Sequence, residues 1–140
     1  PGDNATWALG TQYWVENPTV ALEKVQFAIL LDMVGAKDAK FAREYFSQNY
    51  SRAVVDYVWD VARASGSGSR FVDDLGTPVV DDHYYLIQAG IPAIDIIECA
   101  HPATRSFNPT WHTQADNLDG IDPETLRAVG QTVTNVLYKL

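Results

Sequence analysis

The sequence has 140 residues, a net charge of −8, 46 % hydrophobic residues and a single cysteine, Cys99. That is the size of one domain, since domains cluster near ~100–150 residues, and a 20 % charged fraction excludes disorder and low complexity. The lone cysteine excludes a disulfide framework and a Cys-based zinc module, 18 acidic against 10 basic residues exclude a general nucleic-acid surface, and no apolar run approaches the ~18 residues of a membrane span.

Pro1–Thr6 reads as a turn-rich loop. A helix is expected from Gly10 to Glu16, ending before Pro18 because the residue preceding proline avoids the α region. Val25–Leu31 is a near-continuous apolar run of strand length, as for a strand buried on both faces, and Asp32 stands at its C-terminal end. Asp38 to Gln48 reads as a helix with Phe41, Tyr45 and Phe46 on one side. Ser51 reads as the N-cap of a second helix whose face carries Val54, Val55, Val58, Trp59 and Ala62. The flexible loop Ser65–Ser69 ends it, and a short strand is expected at Arg70–Val72. Asp81-Asp82-His83 opens a short helix closed by Gly90. Ile91–Ile97 is a second buried strand, and Glu98–Thr110 a long connection without period. Asp122-Pro123 starts the closing helix, with Asp as N-cap and Pro at the first helical position. Strand, helices, strand, helix is an α/β pattern. Two strong strands are too few for a whole sheet of ~5–6, so part of a larger domain, or a sheet completed by another chain, is expected.

Three places put metal-binding or proton-moving groups at a strand end or loop: Asp32, Asp81-Asp82-His83 and Trp111-His112. Histidine nitrogen and carboxylate oxygen are natural zinc ligands. Plainer roles stand beside these. Asp32 is equally a strand-end cap, Asp82 a helix N-cap, His83 a packed histidine, and His101 and His112 solvated loop residues. Asp95 lies inside an apolar strand, where a carboxylate is costly unless paired; it either points at a polar site or caps neighbouring backbone. Cys99 reads as a small core residue. The glycosylation patterns at Asn4-Ala5-Thr6 and Asn49-Tyr50-Ser51 read as chance. There is no Gly-x-Ser-x-Gly, phosphate loop or dinucleotide fingerprint.

The order of pieces is specific. Leu31-Asp32-Met33-Val34-Gly35 is followed by Asp81-Asp82-His83, then Gly90-Ile91-Pro92, then Trp111-His112-Thr113 with Asp116-Asn117. This order closely resembles the C-terminal half of the zinc-dependent aminopeptidase and glutaminyl cyclase superfamily, over essentially the whole chain. Asp81, where the aminopeptidases tend to carry serine, looks more like the cyclase branch. The resemblance implies a three-layer α/β/α fold with a mostly parallel central sheet, the zinc-exopeptidase (phosphorylase/hydrolase-like) fold. Residues 1–140 would form the C-terminal portion of one such catalytic domain.

The resemblance also implies roles. His112 matches a zinc ligand. Asp32 matches the aspartate that binds a second metal in di-zinc aminopeptidases and joins a hydrogen-bond network in the cyclases. Asp81 matches the cyclase aspartate sharing protons with that network. Trp111 and Phe107 match aromatic walls of the substrate pocket, and Asp82 and His83 the cap of a helix behind it. The implied cofactor is zinc, the implied substrate a peptide N-terminus, and the implied reaction formation of N-terminal pyroglutamate. The alternatives are aminopeptidase hydrolysis and a non-catalytic binding module. The family's remaining ligands and its acidic catalytic pair belong to an N-terminal half, so the 140 residues alone are expected to be inactive. A secreted or periplasmic location is implied by the resemblance only.

Overall fold

The structure is a computed structural model that describes residues 6–139. The loop expected at Pro1–Thr6 falls outside these residues except for Thr6, and Asn4 falls outside them too. Helix α1 (Leu9–Glu16) is followed by β1 (Ala28–Leu31), β2 (Phe41–Arg43), α2 (Tyr45–Tyr50), α3 (Arg52–Ala64), β3 (Phe71–Leu75), α4 (Asp82–Gln88), β4 (Ala93–Ile96) and α5 (Pro123–Tyr138). Strands β1 and β4 pair in parallel, with Leu30 opposite Asp95. Strands β2 and β3 form a second parallel pair, with Phe41 opposite Phe71. The strand expected at Arg70–Val72 is present and runs on to Leu75.

The chain builds three layers because strand side chains alternate between faces. On one face Ile94 and Ile96 join Val55, Val58 and Trp59 of α3 and Val129 and Val136 of α5 in the main core. These helix residues recur at three- and four-residue spacing, so each helix buries one stripe. Trp59 packs edge-on against Phe71, with ring centroids 5.2 Å apart, and its Nε1–H donates to the Val72 carbonyl at 2.9 Å. On the opposite face of β4, Asp95 looks toward His83 of α4, and α1 packs outside α4. All four residues of β4 are buried, as its unbroken apolar run leads one to expect.

The second edge of β4 is closed by side chains. Toward β1, the ladder is continued by the N–H groups of Ala28 and Asp32, which donate to the carbonyls of Pro92 and Ile96. Away from β1, the N–H groups of Asp95 and Ala93 donate to Ser47 Oγ and Ser51 Oγ, both at 2.9 Å. Ser47 and Ser51 lie four residues apart, so α2 and the residue that ends it satisfy two buried strand donors in place of another strand. Ser51 does occupy the N-cap position of α3, but its hydroxyl makes no cap bond there. The cap role expected for that side chain is replaced by the bond to β4.

The helix expected over Asp38–Gln48 is not formed. Residues 41–43 are β2, and a helix starts only at Tyr45, with Glu44 accepting the N–H of Phe46 and Ser47. Phe41 belongs to the main core, whereas its neighbour Ala42 belongs to a second core with Val79, Ile97 and Cys99. Adjacent residues reach opposite faces only in extended chain. Pairing with Phe71, thirty residues away, thus overrides the helical spacing of Phe41, Tyr45 and Phe46. The α5 start is as expected: the Asp122 carboxylate accepts the Glu124 N–H at 2.9 Å, with Pro123 at the first helical position. Among the described residues no helix is long and apolar enough to cross a membrane.

Candidate active site

The C-terminal end of β1 opens toward a cleft of about 670 Å³. Asp32, Asp81, Phe107, Trp111 and His112, the five residues singled out from the sequence for binding or chemistry, all line it. Asp32 leaves β1 with its N–H still bonded to Ile96. Met33 then turns into the left-handed region at φ 50°, as does His112 at φ 58°. For residues other than glycine that conformation costs ~1–2 kcal/mol, and such strain collects at sites. Phe107 and Trp111 stand 4.9 Å apart, and the Trp111 ring stacks on the His112 ring at 3.7 Å and 18°.

Asp81 is the N-cap of α4 and accepts the Asp82 N–H at 2.7 Å. The plain reading of Asp82 as the cap is therefore corrected by one residue: Asp82 is the first residue of the helix, and its carboxylate accepts the Thr11 hydroxyl at 2.5 Å. The bond ties α1 to α4. Partial burial raises the Asp81 carboxyl above the ordinary range. The Asp82 N–H opposes this, and the charge of Asp32 and a hydrogen bond shared with it reinforce it. Two neighbouring carboxyls do not both ionise at little cost, which is the direction in which Asp81 is raised.

Behind the cleft lies a second cluster that the sequence reading only half identified. Glu44, His83 and Asp95 are fully buried. Glu44 Oε1 accepts the N–H of Phe46 and Val79 at 3.0 and 2.9 Å. Its Oε2 accepts the N–H and hydroxyl of Ser47 at 2.8 and 2.7 Å and lies 3.0 Å from His83 Nε2. Burial pushes the Glu44 carboxyl up, but the bonds from His83, Ser47, Phe46 and Val79 outweigh it and hold it below the ordinary range. Burial drives Asp95 well above that range, and the charges of Asp81, Asp32, Glu44 and Asp82 add to the effect. His83 is thus the packed histidine expected from the sequence. Glu44 was not expected, because its cap position was hidden inside an assumed helix. Cys99 is buried, its thiol pushed up to about 12 chiefly by burial, which fits its reading as a core residue.

A catalytic zinc takes about three protein ligands. Among the described residues no group of three or more His, Cys, Asp or Glu side chains is placed to hold a metal. His112 and Asp32 share the cleft, yet these residues alone do not make a zinc site.

The family model of peptidase family M28 matches residues 5–137. The chain belongs to this family. A solved glutaminyl cyclase of Bacteroides thetaiotaomicron, bound to N-acetylhistamine, is 42 % identical with a TM-score of 0.93, covering 100 % of this chain and 48 % of its own. A Zn-dependent exopeptidase of Parabacteroides distasonis ATCC 8503 is also 42 % identical, with a TM-score of 0.92 and the same two coverages. The curated aminopeptidase YwaD of Bacillus subtilis (strain 168) is 28 % identical over 134 residues, 94 % of this chain and 29 % of its own length. This M28 chain has the fold of the glutaminyl cyclases and zinc exopeptidases, and spans about half the length of those solved chains. Its family is one of enzymes for which zinc is implied.

Proposed function

We propose that this M28 chain supplies the proton-moving carboxyl pair and the aromatic wall of a glutaminyl-peptide cyclotransferase. The observation that supports the reading is that Asp81, whose carboxyl is raised by burial and by the neighbouring Asp32, lines with Asp32 a cleft that also holds Phe107 and Trp111. In cyclisation the α-amine nitrogen of an N-terminal glutamine forms a bond to its side-chain amide carbon, and ammonia leaves. A proton must leave the amine and reach the departing nitrogen. A carboxyl pair with one proton accepts at one oxygen and donates from another. The flat rings of Trp111 and Phe107 would hold the short glutamine chain and exclude water, which competes as nucleophile.

In this reading His112 is the chain's contribution to a zinc site whose other ligands lie outside these residues, and Asp32 would ligate metal only in the aminopeptidase reading. The metal would polarise the amide carbonyl when bound. The second reading, an aminopeptidase, is favoured by the exopeptidase and aminopeptidase names among the relatives. The test incubates the full gene product carrying these residues with a Gln-initiated peptide and analyses the products by mass spectrometry. Loss of ammonia with the peptide otherwise intact is expected. Release of free glutamine would replace the cyclase reading with the peptidase one.

A further inference from the structure

Glu44 and Asp95 are buried carboxyls on either side of one imidazole, and their surroundings are opposite. Glu44 meets five donors. Asp95 meets none: neither of its oxygens accepts a hydrogen bond among the described residues, and His83 Nδ1 likewise lacks a partner. The two orphans face each other, with Asp95 Oδ2 3.6 Å from His83 Nδ1. A buried carboxylate anion without donors is among the costliest groups a protein can hold, whereas five donors are what an anion needs. The hydrogen-bond count therefore sorts the pair into one anion and one neutral acid. Because anionic Glu44 can only accept, His83 Nε2 carries a hydrogen. A neutral ring then has a lone pair on Nδ1, and among the described residues the Asp95 carboxyl stands against it.

We infer that Glu44 and His83 are positioning residues for the carboxyl site: Glu44 fixes a neutral His83 with its hydrogen on Nε2, and the Nδ1 lone pair takes the acid hydrogen of Asp95. Asp95 is thereby held as an uncharged acid behind the Asp32–Asp81 pair. The inference rests on the proposed role of that pair for its functional meaning, but not for its geometry. A closure of ~0.7 Å brings Nδ1 and Oδ2 to hydrogen-bond distance. His83 Nδ1 on α4 faces Asp95, and the charges that act on it come from Asp81 at the start of α4, Asp32 after β1, Glu44 before α2 and Asp82 on α4. Four of these five are carboxyls. An ionised Asp95 would add another negative charge among them, and the lock on His83 keeps that charge out of the site.

The test is nitrogen NMR of the full gene product with labelled histidine, together with two substitutions at Asp95. His83 is expected to show one protonated nitrogen, Nε2, and a bare Nδ1 that accepts a hydrogen bond. A doubly protonated ring, or hydrogen on Nδ1, would overturn the inference. Asp95→Asn carries an N–H where the acid has its O–H, so it is expected to keep the His83 spectrum and the melting temperature. Asp95→Leu is expected to lower the melting temperature and to shift the Nδ1 resonance. Should Asn prove as damaging as Leu, Asp95 works as an anion and the inference fails. None of these readouts requires enzymatic activity, so they stand apart from the success or failure of the cyclase reading.

Discussion

Replacing Glu44 by glutamine removes one charge and no volume, yet the structure makes it a severe change. Oε1 serves two N–H donors; Oε2 serves the Ser47 N–H, the Ser47 hydroxyl and His83. If the amide keeps its oxygen at Oε1, its NH₂ faces the Ser47 N–H and His83 Nε2–H, even after the hydroxyl turns to accept. If the amide flips, the NH₂ faces the N–H groups of Phe46 and Val79. Either way two buried donors lose their acceptor, at about 1–3 kcal/mol each. Glu44→Gln is therefore expected to lose about 2–6 kcal/mol, read as a lower midpoint of urea unfolding at unchanged slope. The pH dependence gives a second check. The folded-state pKa of Glu44 is lowered, so its contribution is present above the unfolded value of about 4.3. That contribution is lost as pH falls through the folded value. The wild type is expected to weaken over that acid window, and the Gln variant to weaken less there. A loss below about 1 kcal/mol at neutral pH, with the acid limb unchanged, would refute the account of Glu44 as a saturated buried anion.

Two further outcomes follow from the second core. A Cβ on Gly76 would overlap Cys99 Sγ and stand 3.4 Å from Ala42 Cβ, so Gly76→Ala is expected to lower stability by about 1–3 kcal/mol. Adding Cys99→Ala should return part of that loss in a double-mutant cycle, and strict additivity would contradict the overlap. The Cys99 thiol, raised to about 12 and buried, should resist iodoacetamide at pH 8 in the folded protein and react once unfolded. Labelling of the native state at the rate of a free cysteine would show that the second core opens.

The elements that were legible in the sequence are those whose signal is local. Val25–Leu31 and Ile91–Ile97 announce buried strands by unbroken apolarity, and Asp122-Pro123 carries the chemistry of a helix start. The structure trims the strands to Ala28–Leu31 and Ala93–Ile96, because apolar residues extend beyond the ladder. Strand β2 was not legible. Its identity depends on Phe71 and Leu75 across the sheet, and no window around residues 38–48 contains that information. The loss of β2 also hid Glu44, which reads as one more charged residue of a helix until the helix is seen to begin after it. Asp95 was legible as an anomaly, an acid in an apolar strand, but its pairing with His83 needed the fold. The convergence of Asp32, Asp81, Phe107, Trp111 and His112 on one cleft follows from strand ends and loops meeting at one edge of a parallel sheet. The order of the motifs suggested that convergence, and the coordinates supply its geometry.

The most direct test of the central proposal is the rate constant of Asp81→Asn in the full gene product, measured on a Gln-initiated peptide beside the wild type. An amide at this position keeps the cap shape but neither takes up nor returns a proton. If the Asp32–Asp81 pair moves the proton in cyclisation, kcat falls by about 10²–10⁴-fold while KM changes little. A kcat within a few fold of wild type would contradict that role, leaving Asp81 only the cap of α4.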